Sequence, residues 1–291
     1  MTISIITKKE AESIISIKES DKSDIPEIKI SLDLGLTLSS VSIKDDFVHM
    51  GAQKIPISDF KNVKEDFCYL IEDNTLKKIA FFSDETNLYY KLLPTKDWPT
   101  VTMSSVPMHR HTGMSPKEDT FSKIKEIEPV KGNVLDTCCG LGYTAVMASK
   151  QAEEVHTFER DETMLHIAKL NPYSQELFSG SKTDKTEKTD KKIMIHEEDV
   201  FSGITKFKDG YFDRIIHDPP TFKISPELYS IKFYSELYRV LKKSGILYHY
   251  APWPGRTKGN EFYKKIIKDL AGCGFKNCQY HAASSGIRAL K

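Results

Sequence analysis

Apolar and polar positions alternate through the first hundred residues and then change period. Lys29 to Ile43, Phe47 to Ile57, Phe67 to Ile71 and Leu76 to Phe82 are rich in β-branched and aromatic side chains, and Asp73-Asn74 supplies a turn before the last stretch. Such runs predict the strands of a small antiparallel β region. From about residue 116 strand and helix patterns take turns, which predicts βαβ units and a mostly parallel sheet. The expected order begins with helix Pro116 to Glu128, opened by Ser115 as cap and Pro116 at the first helical position. Strand Asn133 to Asp136, helix Tyr143 to Ala152, strand Val155 to Glu159 and helix Asp161 to Leu170 follow. Next come strands Ile193 to His196 and Phe212 to Asp218, helix Leu228 to Leu241, strand Gly245 to Tyr250 and helix Asn260 to Ala271. The tail, Phe275 to Tyr280 and Ala283 to Leu290, predicts a terminal hairpin.

The pattern divides the chain into a β-rich N-terminal region, 1–100, and an α/β domain, 101–291. Residues 179–192, SGSKTDKTEKTDKK, contain no apolar side chain to bury and are expected to be a flexible surface insertion. There is no internal repeat.

Composition narrows the class. In 291 residues, 39% are apolar and 29% charged, and no run approaches the roughly 18 apolar residues of a membrane span. A mean hydropathy of −0.41 fits a soluble globular protein with no membrane partner. The five cysteines are odd in number and include no CxxC pair, so free thiols in a reducing compartment are expected. The N-terminus has no secretory pattern, which makes the cytoplasm the expected location. Net charge is +1, but residues 1–100 hold 13 Lys, no Arg and 17 acidic residues, leaving the remainder at +5. That balance permits an RNA partner without requiring one.

The strongest chemical signal is Val134-Leu135-Asp136-Thr137-Cys138-Cys139-Gly140-Leu141-Gly142-Tyr143, an apolar strand running into a glycine turn and a helix. Glycines allow a ligand to approach the backbone at the carboxyl end of the sheet. Taken alone, Gly140 to Ala145 also fits a dinucleotide fingerprint, with Glu159 where a ribose ligand belongs. Asp136 breaks the tie: a carboxylate there repels a pyrophosphate and attracts an ammonium group.

This segment resembles the first motif of class I S-adenosylmethionine-dependent methyltransferases. The resemblance implies a doubly wound, seven-stranded Rossmann-like sheet and S-adenosylmethionine as cofactor, with Asp136, Gly140 and Gly142 at the methionine end and Tyr143 beside them. Cys138 stands where the family has its first glycine. Glu159, with Arg160 next to it, matches the ribose position, and Asp199, with Val200, matches the contact to the adenine amino group.

Ile215-Ile216-His217-Asp218-Pro219-Pro220-Thr221-Phe222 ends another apolar strand, where Pro-Pro forces the chain out of the sheet. It resembles the fourth motif, D/N-P-P-aromatic, of amino-group methyltransferases, in a D-P-P-T-F form similar to some ribosomal-RNA enzymes. Hydrogen bonds from an amine to Asp218 and to the Pro219 carbonyl direct the nitrogen lone pair at the methyl group. Pro220 completes the turn, and Phe222 is either a stacking ring or core. The whole chain resembles a family of predicted archaeal methyltransferases for which no substrate is implied.

Weaker signals have plainer explanations. His217, His249 and His281 are expected as core histidines before bases, and Met108-His109-Arg110-His111 as a surface loop. Thr120 is a candidate polar contact to the cofactor, and the aromatic run Tyr248 to Arg256 a candidate pocket wall. Cys273 and Cys278 lack the Pro-Cys pairing of cytosine C5 chemistry. No metal is required. The leading expectation is methylation of a nitrogen of an RNA nucleobase. The alternatives are methyl or aminopropyl transfer to a small-molecule amine, then a nicotinamide-dependent oxidoreductase or a non-catalytic module. The sequence sets no oligomeric state.

Overall fold

A computed structural model describes residues 3–20, 24–179, 192–251 and 259–291. All but the two ends of the 179–192 run lie outside the described residues, as do Pro252, Trp253, Pro254, Gly255 and Arg256 of the aromatic run. The chain divides into two compact units, Met1–Lys117 with His166–Tyr173, and Glu118–Leu165 with Ser174–Lys291.

The first unit is built from antiparallel sheets. One contains Ile25–Ile30, Ser39–Lys44, Phe47–Met50 and Gln53–Pro56, in that order. A second pairs Tyr69–Glu72 with Ile5–Ile6 and Thr75–Lys78, and a third runs Val106–Pro107, Thr100–Met103, Leu88–Leu93, Ala80–Ser83. The β pattern therefore continues beyond residue 100. Asp73 and Asn74 both take positive φ, 53° and 58°, the backbone of a tight hairpin turn. The expected single stretch Lys29 to Ile43 is broken by a loop in which Asp33 accepts from Thr37 N and Thr37 Oγ1. A local carboxylate satisfies that backbone in place of a ladder. Helix Lys8–Ser20, which the pattern did not predict, buries Ala11 and Ile14 in a core with Ile43, Val48 and Phe60.

The second unit carries a seven-stranded sheet: β1 (Asn133–Asp136), β2 (Glu154–Phe158), β3 (Ile193–His196), β4 (Phe212–His217), β5 (Leu241–Tyr250), β6 (Lys276–His281) and β7 (Gly286–Leu290). Its order is β3-β2-β1-β4-β5-β7-β6. The first five strands are parallel and β7 runs antiparallel to both β5 and β6. This is the expected doubly wound Rossmann-like sheet, and the order of its strands reverses between the parallel neighbours β1 and β4. Ligands bind at the carboxyl ends of strands at such a switch point.

Helices follow the strand boundaries closely. The helices used below are α1 (Pro116–Glu126), α2 (Tyr143–Ser149), α3 (Ile231–Val240) and α4 (Gly259–Gly272). The expected helix Leu228 to Leu241 is two elements, a 3₁₀ turn Pro226–Tyr229 and then α3, because Ser230 takes extended backbone and caps Phe233 N. Leu135, Ile215, Leu247 and Ile287 from alternate strand positions pack in one core cluster with Phe233 and Leu237 of α3 and Ile266 and Leu270 of α4. Burial of such side chains contributes roughly 1.5–3 kcal/mol each. The position of α1 is fixed by its carboxyl end: Arg288 Nε donates to Glu126 O at 2.9 Å and Arg214 Nε to Ile127 O at 2.8 Å. Cations at exposed helix carbonyls complement the helix dipole.

Candidate active site

β1 and β4 are neighbours, so the two sequence motifs emerge side by side. Asp136 ends β1 and is fully buried. Its Oδ2 accepts from Thr157 Oγ1 at 3.0 Å and Thr144 Oγ1 at 3.2 Å, while Oδ1 is buried with no partner among the described residues. Burial pushes its carboxyl up to about 8 against the two hydroxyls, with repulsion from Asp218 adding and Lys123 opposing. A buried carboxylate oxygen without a donor is satisfied by a cationic ligand.

The glycine turn follows. Gly140 and Gly142 have φ of 54° and 74°. A Cβ on Gly142 would also lie 2.6 Å from Leu177 Cδ2, so glycine is required twice over. Cys138 is absent from the described residues with positive φ. A side chain at the family's first glycine position is therefore unstrained; Cys138 Sγ lies 3.7 Å from Thr137 Oγ1. Tyr143 opens α2 with its side chain buried.

Glu159 lies after β2, its Oε2 accepting from Gly140 N at 2.9 Å and its Oε1 from Asp161 N at 3.1 Å. Burial raises its carboxyl to about 7 against these backbone donors. Asp161 accepts from Thr163 N, so the following helix has its own cap. Asp199, after β3, accepts from Phe201 N at 2.7 Å as a helix cap and lies 3.5 Å from Arg160 Nη1. Val200 is in the core with Phe158 and Ile204.

Asp218 follows β4, and its partner was not foreseen. Lys123 of α1 places Nζ 2.6 Å from Asp218 Oδ2 and 2.8 Å from Asp119 Oδ2. Lys123 and Asp119 side chains are 2% and 0% exposed, Asp218 21%. Burial opposes the lysine charge, but the two carboxylates outweigh it and hold Lys123 above the usual lysine range. The signal was present in α1: Asp119 and Lys123, four residues apart, share a buried face with Thr120 and Ile124.

Around the turn, Pro219 is buried, and the Pro220 carbonyl accepts from Tyr229 Oη at 2.9 Å. Phe222 is 50% exposed and meets Tyr229 and Phe262 edge-on, with ring centroids 5.7 and 6.1 Å away. His217 and His249 are fully buried core histidines with depressed basicity, His249 at about 4. His249 Nε2 accepts from Tyr234 Oη at 2.9 Å. His281 lies 2.6 Å from Glu126 Oε2. Thr120 is buried, and His109 is bonded to Thr100 in the first unit.

This donor set fits S-adenosylmethionine: an orphaned buried carboxylate oxygen suits its amino group, and a carboxylate after β2 suits a diol. Residues 135–249 match the family model described as a methyltransferase domain. The uncharacterized protein MJ1233 of Methanocaldococcus jannaschii is 38% identical over 300 residues, covering 100% of this chain and 96% of that one. A polyamine aminopropyltransferase of Prochlorococcus marinus is 33% identical over 145 residues, 48% of this chain and 47% of its own. The structure of spermidine synthase from Thermotoga maritima shares the fold, with a TM-score of 0.51 at 17% identity over 72% of this chain and 70% of that one. The fold and the matched domain define a methyltransferase enzyme that uses S-adenosylmethionine. The chain belongs to one family with the Methanocaldococcus protein, and residues 135–249 of it form the methyltransferase domain. No helix among the described residues is long and apolar enough to cross a membrane.

Proposed function

We propose that the methyl acceptor is the nitrogen of a small-molecule amine. The observation that carries this reading is the charge at the D-P-P turn. Among the described residues, Asp119, Asp136 and Asp218 interact with one lysine, Lys123. Carboxylates gathered at this turn, the partly exposed Asp218 among them, suit the ammonium groups of an amine better than a phosphate backbone. Similarity to polyamine aminopropyltransferases over about half of this chain supports an amine acceptor as well.

In this reading Asp136 and the Gly140–Gly142 turn hold the methionine end, Glu159 the ribose and Asp199 the adenine. Bound there, S-adenosylmethionine supplies an electrophilic methyl group whose leaving sulfur departs as a neutral thioether. The acceptor nitrogen reacts as the neutral amine, having released its ammonium proton to solvent; Asp218 accepts a hydrogen bond from it, aims its lone pair, and takes the proton that the methylated nitrogen sheds after the N–C bond forms and the C–S bond breaks. Pro219 and Pro220 hold that carboxylate out of the sheet, and Phe222 with Tyr229 walls the acceptor.

An RNA nucleobase nitrogen is the second reading, favoured by the +5 balance of residues 101–291. The test is transfer of tritiated methyl from S-adenosylmethionine to a panel of putrescine, spermidine, spermine and total RNA, with decarboxylated S-adenosylmethionine as a second donor. Label on a polyamine is expected. Label on RNA alone overturns the amine reading, and product formed only with the decarboxylated donor would make the transferred group aminopropyl.

A further inference from the structure

We infer that Lys123 is a positioning residue for the transfer: anchored by Asp119, it grips Oδ2 of Asp218 and fixes the direction in which that carboxylate faces. Asp119 and Lys123 are four residues apart on α1, so they meet on one helical face. An intrahelical pair of this kind is complete in itself. Here the lysine also crosses 95 residues of sequence to reach Asp218 at 2.6 Å. α1 cannot swing to relieve that contact, because Arg288 and Arg214 bind the carbonyls at its carboxyl end. The Tyr250 ring, at the end of β5, lies 5.1 Å from Lys123 Nζ and covers another side of it.

Stability alone does not account for this array. Burying an ammonium and a carboxylate is expensive, and apolar residues of similar size generally serve a core as well or better. Two members of the triad are fully buried, whereas the third is the partly exposed carboxylate of the D-P-P turn. The arrangement thus connects a rigid interior anchor to a group at the rim. Among the described residues, the charged or titratable neighbours of Asp218 include Lys123 from α1, Asp136 from β1, Cys138 from the glycine turn and Tyr229 from the 3₁₀ turn. Among these, Lys123 is the cation, and it favours the ionised form of Asp218. An ionised, oriented carboxylate is what an acceptor amine needs as a hydrogen-bond partner. The inference depends on the amine reading only for the identity of the group that Asp218 meets.

The test compares the full-length wild type, Lys123→Arg and the double variant Asp119→Leu/Lys123→Met, which removes the buried pair together so that no lone charge remains inside. Carboxyl ¹³C titration of aspartate-labelled protein, without cofactor or acceptor, follows Asp218, assigned with Asp218→Asn. In the double variant the Asp218 titration is expected to move up by about one pH unit or more, and in Lys123→Arg to stay near wild type. The acceptor with the highest turnover in the polyamine and RNA panel then serves as kinetic probe. With it, kcat is expected to fall about 100-fold in the double variant while S-adenosylmethionine affinity by calorimetry stays within about threefold. A double variant with wild-type circular dichroism and unchanged Asp218 titration, or with unchanged kcat, overturns the inference. Failure of the amine reading shows separately, as label on RNA.

Discussion

Thr137 Oγ1 lies 2.8 Å from His217 Nδ1, tying together the residue after Asp136 and the residue before Asp218. His217 Nε2 is 3.0 Å from the Leu228 carbonyl, which can only accept, so Nε2 carries the ring hydrogen and Nδ1 accepts from the threonine. Thr137 N also donates to Ile216 O at 3.0 Å. The two motifs are thereby locked in register by a side-chain bond as well as the sheet ladder.

Replacing that threonine should show what the lock contributes. Thr137→Val keeps the shape but leaves His217 Nδ1 buried without a donor, a loss of about 1–3 kcal/mol. Urea unfolding should give that decrease with an unchanged slope. An effect below about 0.5 kcal/mol would mean that the ladder alone sets the register.

Asp136→Asn tests the cofactor assignment. The amide oxygen can still accept from Thr144 and Thr157, so the fold should persist, but the charge offered to a cationic amino group is gone. Losing one charge-assisted hydrogen bond corresponds to about 10- to 100-fold in affinity for S-adenosylmethionine. Calorimetric titration would refute the role of Asp136 if the affinity stayed within twofold.

The raised carboxyls predict two opposite pH trends. Asp136 moves from 3.8 to about 8 and Glu159 from 4.5 to about 7 in the folded chain. The native state therefore keeps protons that the unfolded chain has released, so the stability of the cofactor-free protein is highest below about pH 4 for these two groups and declines as pH rises through 7 and 8. A cationic cofactor favours the ionised carboxylates, so its affinity should rise over the same interval, with proton release on binding near neutrality. Calorimetry in buffers of different ionisation enthalpy counts those protons. A count of zero at pH 6.5 would mean that neither group ionises on binding.

The strands were legible because their apolar runs end abruptly at Asp136 and Asp218, and because Pro219-Pro220 cannot continue a ladder. Asn133–Asp136 and Ile193–His196 coincide with the expected strands. Less was legible where local polar groups override a pattern. Asp33 breaks an apparent strand by bonding Thr37, and Ser230 splits an apparent helix by capping α3. Helix Lys8–Ser20 escaped detection because its apolar face is narrow, with Ala11 and Ile14 the buried positions. Within the candidate site, both motif carboxylates were readable from the chain, whereas Lys123 depends on a contact between α1 and the end of β4. Spacing within α1 can place Asp119 and Lys123 on one helical face. It cannot say which distant carboxylate that lysine meets.

Phe222 separates the acceptor wall from the core. Its ring is half exposed and touches Tyr229 and Phe262 only by their edges, so truncation leaves little cavity. Phe222→Ala should change stability by no more than about 0.5 kcal/mol, as for other surface positions. If the ring covers the acceptor beside Asp218, KM for the acceptor rises while S-adenosylmethionine affinity is unchanged, because the proposed cofactor residues, Asp136 at the end of β1 and Glu159 after β2, lie away from the D-P-P turn. Loss of one aromatic contact of about 0.5–1.5 kcal/mol corresponds to a roughly 2- to 12-fold rise. Steady-state kinetics with the acceptor varied at saturating cofactor measures it, and an unchanged KM would leave Phe222 as surface packing for Tyr229.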